Sequence, residues 1–488
     1  MLQLAIIGLS LISSCFGHYE LPADLKLGAV TAAFPIEGGW NEGGKGESSW
    51  DFIVHNYTDF LVSDLPPEEL IAQAKVAADS YHNWREDIRV AKELGLDYYK
   101  FSIATTRIIP RGPYNPVNQE GIDYYNNLID GLLAVGITPV VTMYYYDGSQ
   151  AASFFYGGFS NPLCVDAMVR YADVLFAAFG DRVKIWDTFQ DGYKECKEIY
   201  GEFIGNEYEY FPRGEYEYLC GRYLILSHAS IYRLYQDKYK AEQNGLVSMT
   251  FGLDWYEPAD EGAQEAALRA MDFTFGWFAS PIINGDYPQR MIDTIAELSE
   301  IQNFPQSRLP PFTEEEKVLI KGALDLMVLV HRNTYLVVDH FDDSFPPTAQ
   351  KDVQITRFID QEWNDTNSFY TTTPWGFREA VKYVWDNYGQ PEIAISHATY
   401  GAYEDSLNDD FRIHRLQQFL QEVTRLIHED GVNIKYFSMW SLIDSFFFQY
   451  AYTAKFGLYH VDFNNPARPR TPKQSASYYR TVIETRIP

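Results

Sequence analysis

Residues 138–146 read TPVVTMYYY and residues 98–103 read YYKFSI, apolar and aromatic runs that stop at Asp147-Gly148 and begin after Gly136 or Leu96-Asp97. Neither alternates polar with apolar residues, so each predicts a strand buried on both faces. Working outward, six more runs of this kind recur: Leu25 to Phe34, Val183 to Phe189, Leu246 to Trp255, Leu324 to Val330, Glu392 to His397 and Ile434 to Leu442. Between them lie stretches with helical spacing, among them Ser80 to Leu94, Gly121 to Val135, Val165 to Phe179, Tyr218 to Ala241, Trp375 to Tyr388 and Phe411 to Asp430. Buried strands alternating with amphipathic helices predict a parallel sheet covered by helices, and eight such units predict an α/β fold, a single (β/α)8 TIM barrel with long loops. One domain over residues 18–488 then accounts for the length. Glu195 to Tyr216, Ser299 to Phe312 and Phe341 to Thr373, rich in Pro, Gly, Asn and acidic residues, read as the loops.

Composition narrows the function classes. The 488 residues carry 67 acidic and 39 basic side chains, a net charge of −28 that repels nucleic acid and anionic lipid. Aromatic residues make up 16% of the chain, a content that suits an aromatic-lined cleft. The first 17 residues, MLQLAIIGLSLISSCFG, are uncharged and apolar and end in small residues, which predicts a cleaved secretory signal and a secreted, extracellular protein. Cys164, Cys196 and Cys220 would remain in an oxidising compartment, enough for one bridge and one free thiol. Their spacing offers no zinc site, and no metal or cofactor is expected. Asn56-Tyr57-Thr58 and Asn364-Asp365-Thr366 are glycosylation sequons.

In a barrel of this kind the working groups sit at the strand C-termini. Those ends hold Thr31 to Pro35, Tyr144 to Asp147, Phe189-Gln190-Asp191, Asp254 to Tyr256, Val330-His331-Arg332, Ser396-His397 and Trp440-Ser441. Aromatics dominate, and the central ionisable candidates are Asp191, His397, Arg332 and Lys100. The segments TAAFPIEGGWNEGGKGESSWD, ADSYHNWREDI, FGWFASPIINGDYP, DGVNIKYFSMWSLIDSF and KFGLYHVDF, spread from about Leu21 to Pro488, resemble glycoside hydrolase family 1 as found in insect β-glucosidases and myrosinase-like enzymes. The resemblance implies a retaining mechanism with one Glu as acid/base after the fourth strand and one as nucleophile after the seventh. Such a pair works with carboxyls about 5 to 5.5 Å apart.

Neither Glu is here. Where the family reads T-F-N-E-P, this chain reads Thr188-Phe189-Gln190-Asp191-Gly192, and where it reads I-T-E-N-G, the chain reads Ile395-Ser396-His397-Ala398-Thr399. The positions that the resemblance assigns to sugar contacts differ as well. The glycon-binding Gln is Pro35, the His of H-W-D is Tyr145, the sugar-binding Glu after the eighth strand is Phe447 and the adjoining Trp is Phe448. Lys100 stands for the Arg that steadies the nucleophile, Val330 for an Asn and Arg332 for a Tyr. Trp440 keeps the stacking position. The resemblance also implies a Cys196–Cys220 bridge, since a cysteine pair at this placement is common among insect relatives.

Two roles stand for each candidate. Asp191 is an acid in an aromatic cleft, or a carboxylate ion-paired to Arg332 or Lys100. His397 is a base or a ligand, or it makes a structural hydrogen bond. Lys100 and Arg332 hold an anionic ligand, or they pair with Asp191. Phe34, Tyr144 to Tyr146, Trp255, Trp440 and Phe446 to Phe448 line an apolar site, or they fill the core. The expected protein is therefore a secreted β-glucosidase-like barrel that has lost retaining chemistry and binds an apolar or aromatic small molecule or a partner at the barrel mouth. The alternatives are an enzyme with a new acid/base pair of Asp191 and His397, and a residual O-glycosyl hydrolase.

Overall fold

The computed structural model describes residues 19–488 except 204–213, 364–367, 369, 372, 399–400 and 404. The expected leader over residues 1–17 and the Asn364 sequon lie outside the described residues. The eight apolar runs form a closed parallel barrel of β1 (Lys26–Thr31), β2 (Tyr98–Ser102), β3 (Thr138–Tyr144), β4 (Ile185–Gln190), β5 (Leu246–Gly252), β6 (Met327–His331), β7 (Ile393–Ala398) and β8 (Ile434–Trp440). The strands follow chain order around the ring, and β1 closes it by pairing with β8 in the register Lys26 to Tyr436. On its other edge β1 pairs with β2, and Gly28 is the point of close approach there. A Cβ there would lie 2.6 Å from the ring of Tyr98 on the neighbouring strand.

Helices cover the outside. They include α1 (Ser80–Leu94), α2 (Gln119–Ala134), α3 (Leu163–Phe179), α4 (Tyr216–Leu234), α5 (Pro374–Asn387) and α6 (Asp410–His428). In α1, Ile88, Ala91 and Leu94 face the barrel, while Arg89 bridges Glu86 and Glu93 on the solvent side. Among the described residues no helix is long and apolar enough to cross a membrane.

Several sequence expectations need correction, among them the loop over Phe341 to Thr373, which contains the strand Ile355–Phe358. The first run stops as a strand at Thr31, because the N–H of Ala33 donates to Ser102 Oγ at 2.7 Å and the chain turns into a short helix, Ala33–Ile36. The fifth run divides after Gly252, and Trp255–Pro258 joins a separate three-stranded sheet with Thr334–Asp339 and Ile355–Phe358. Part of the expected loop after β4 is helical over Glu195–Phe203.

Inside, the barrel is built in storeys. Tyr98, Val140, Ile185, Leu326, Val328 and Ala394 form an apolar floor. Above it Lys100 Nζ lies 2.8 Å from Asp187 Oδ2 and donates to Thr250 Oγ1 and Ser396 Oγ, each at 3.1 Å. Asp187 also accepts from the hydroxyls of Thr142 and Thr250. The lysine therefore serves the barrel axis, and the expected Lys100–Asp191 pair is replaced by Lys100–Asp187. The mouth above this layer holds the candidate site.

Cys196 and Cys220 are bridged, which ties the helical segment after β4 to α4, and Cys164 on α3 is a buried free thiol. Asn56 is exposed at the end of the helix Ser49–Asn56, where its Nδ2 donates to Phe52 O at 2.9 Å. Peptide mapping without reductant should find Cys196 linked to Cys220 and Cys164 as thiol. Loss of this bridge should lower stability by roughly 3 kcal/mol in the chain-entropy treatment.

Candidate functional site

Asp191 follows the last residue of β4 and caps the short helix Gly192–Lys194, its Oδ1 accepting from Lys194 N–H at 3.3 Å. It is fully buried, and Arg332 Nη1, just beyond β6, lies 2.5 Å from Oδ2. Gly252 at the end of β5 makes room for this carboxylate, since a Cβ there would sit 2.6 Å from Oδ2. Of the two roles for Asp191, the ion pair with Arg332 is the one formed.

His397 lies on β7 opposite Val330 of β6, at a register shift in the ladder. Its ring is buried, 5.4 Å from the Trp440 ring. Burial, with help from the Arg332, Lys100 and Lys194 cations, holds the imidazole well below its usual value, so it is neutral at physiological pH. Nδ1 has no hydrogen-bond partner. Among the described residues no hydrogen bond joins His397 to Asp191, and the expected proton-transfer pair is not assembled.

The aromatic replacements are placed together. Tyr145 lies parallel to Trp440 at 5.5 Å and to Phe448 at 6.1 Å, and Phe447 meets Trp440 edge-on at 6.1 Å. Phe448 reaches on to Phe34 and Trp50. Pro35 takes part through its backbone, accepting from Phe446 N–H at 2.9 Å. Tyr145, Trp440, Phe447 and Phe448 are each at most 6% exposed. Expected to stand around a ligand, these rings pack chiefly on one another, because adjoining aromatic surfaces gain more in contact with each other than with water.

Polar atoms persist beneath them. Both amide atoms of Gln190 and the Tyr146 hydroxyl are buried without hydrogen-bond partners, like His397 Nδ1. Tyr146, Asp191 and Phe448 also have left-handed backbones, with φ of 63°, 43° and 48°. Such conformations cost about 1 to 3 kcal/mol each and cluster at sites whose shape is over-determined by their surroundings.

A second cluster could suit a metal by residue type. Ligand atoms of Asp405, Asp444 and His460 lie within 4.8 Å of one another. However, Lys473 contacts Asp444 at 2.9 Å and Lys455 approaches Asp405 at 3.5 Å, so resident cations already neutralise the carboxylates. Burial pushes Asp444 up, but Lys473, His460 and Lys455 outweigh it and hold the carboxyl well below its usual range. Asp405 and Asp444 raise His460 to about 9. A histidine raised on folding stabilises fully below its unfolded value near 6.5, and that contribution disappears as pH rises through the folded value. Wild type should thus exceed His460→Gln in thermal stability at pH 6 and converge with it at pH 10.

Sequence reasoning missed two ionisable residues. Asp187 is the only charged side chain in the run IWDTFQ, and a charge inside a buried strand requires a partner on a neighbouring strand. Glu195 lies in the segment read as loop and accepts from the Tyr144 hydroxyl at 2.8 Å.

The family model described as glycosyl hydrolase family 1 matches residues 18–487. Myrosinase 1 of Brevicoryne brassicae is 36% identical over 476 residues, covering 96% of this chain and all of the relative. Cytosolic beta-glucosidase of Homo sapiens is 36% identical over 472 residues, covering 95% of this chain and 97% of its own. Among solved structures, aphid myrosinase superposes with a TM-score of 0.90 at 35% identity, covering 96% of this chain and 100% of that one.

The buried pair gives a direct check. Arg332→Gln strands Asp191 without its cation and should destabilise by about 3 to 5 kcal/mol in urea unfolding, whereas Asp191→Asn combined with Arg332→Gln should recover a large part of that loss.

Proposed function

Because the chain belongs to glycosyl hydrolase family 1, we propose that it keeps the family barrel as a secreted, non-catalytic binder of an apolar or aromatic small molecule and does not run the retaining reaction. The observation that carries this reading is the engagement of Asp191 by Arg332, with a neutral His397 at the position matching the nucleophile. Retaining hydrolysis needs one group to protonate the leaving oxygen and a second carboxylate to attack the anomeric carbon. Asp191 offers acceptor atoms bound to Arg332 and Lys194, and His397 offers no carboxylate. Pro35, Tyr145 and Phe447 also withdraw hydrogen-bond partners that would strengthen toward the transition state.

An acid/base enzyme built on Asp191 and His397 is the weaker reading, since each group is occupied separately or held neutral. Residual glycosidase activity is favoured by the names of the relatives, which are a myrosinase and a beta-glucosidase. Secretion is supported by the apolar leader and by the disulfide, a bond suited to oxidising compartments.

Hydrolysis of 4-nitrophenyl β-D-glucoside separates these readings. The purified protein should release no nitrophenol above an Asp191→Ala control, and Asp191→Glu with His397→Glu should restore little, because the sugar contacts stay missing. Hydrolysis by wild type that the Asp191→Ala control loses would overturn the reading.

A further inference from the structure

A cavity of about 330 Å³ lies outside the barrel, between the segment after β3, helix α3 and the helical stretch Glu195–Phe203. Its size falls within the range of small-molecule sites. Its wall is largely apolar and aromatic, with Phe52, Tyr144, Phe159, Tyr171 and Tyr200 among the lining rings. Phe154 stands at its rim, 66% exposed, against the edge of Phe52 at 5.4 Å.

Within this wall sits one carboxyl. Glu195 is 4% exposed, and its Oε1 accepts from Tyr144 OH, while Oε2 has no hydrogen-bond partner. No Lys, Arg or His occurs among the cavity's described lining residues. The nearest acid on the same helical segment, Glu198, is engaged with Lys194 at 3.6 Å. Burial raises the Glu195 carboxyl to about 7, with Glu198 adding to the rise and the Tyr144 hydrogen bond opposing it. Cys164 also lines the cavity, but burial lifts its thiol to about 12, which leaves it a poor nucleophile.

We propose that this cavity is a binding site for a small apolar amine, with its ammonium against the Glu195 carboxylate in the wall and its carbon skeleton among the aromatic rings. An unpaired buried carboxylate is costly, and a monovalent organic cation compensates the charge without breaking the Tyr144 hydrogen bond. Aromatic ring faces attract the same cation. A neutral apolar ligand would leave the carboxylate unpaired, and an anion would meet it with repulsion. This inference rests on the binder reading and moves the site away from the barrel mouth.

Calorimetric titration of the full chain at pH 8, where Glu195 is mostly ionised, tests it with 2-phenylethylamine and its neutral isostere 2-phenylethanol. The amine should bind at least tenfold more tightly than the alcohol, and Glu195→Gln should abolish that preference. A thermal melt reports whether Glu195→Gln is folded, and the amine-to-alcohol ratio on wild type stands without any variant. Equal binding of the two probes, or an amine preference that survives Glu195→Gln, overturns the assignment. If neither probe binds, this assignment falls, and the binder reading is judged separately by whether a panel of uncharged aromatic ligands binds.

Discussion

A carboxylate shut away from water needs a cation or hydrogen-bond donors, or it gives up its charge, and at the top of this barrel Asp191 has Arg332. The surrounding parts conform to that need. Gly252 leaves the space that a side chain would deny, Lys194 N–H meets the second oxygen, and the Arg332 cation joins burial in keeping His397 neutral. One storey below, the same rule is applied again: Lys100 and Asp187 neutralise each other, and threonine and serine hydroxyls bond to the lysine and to Asp187 Oδ2, while Asp187 Oδ1 is buried without a partner. The barrel axis thus carries two separate ion pairs, with an apolar floor beneath them.

This arrangement differs in kind from a pair of carboxyls poised around a glycosidic bond. A retaining site keeps two acids of similar strength close together and uses their environments to push them apart. Here one acid is matched to a permanent cation and the other position is an imidazole. The rings above extend the change, since Tyr145 stacks on Trp440 and Phe448 where the resemblance assigns polar and sugar-facing groups. Gln190, Tyr146 and His397 retain unpartnered polar atoms beneath those rings, and Asp191, Tyr146 and Phe448 add strained left-handed backbone at the same barrel mouth.

The barrel was legible because its signal is local. Buried parallel strands read as unbroken apolar runs, and all eight fell where the sequence placed them, with shifts at the ends such as Thr31 and Gly252. Boundaries failed where an apolar run continued past the last ladder bond, as in Ala33–Ile36, because hydrophobicity does not report which N–H groups pair. The Glu195–Phe203 helix was hidden by its loop-like composition, and the disulfide joins it to Cys220, beyond the reach of local periodicity. Asp187 was visible in the sequence as a lone charge in a strand, but its partner is set by three-dimensional register. The ring contacts at the mouth and the cavity beside Glu195 arise between segments far apart in the chain, so periodicity carries no trace of them.

The central claim is that the barrel forms no glycosyl ester. Intact-protein mass spectrometry after incubation with 2,4-dinitrophenyl 2-deoxy-2-fluoro-β-D-glucoside tests it most directly, because a retaining enzyme accumulates the fluoroglucosyl ester on its nucleophile. The account predicts an unchanged mass. A stoichiometric adduct mapped to a carboxylate at the barrel mouth would contradict it.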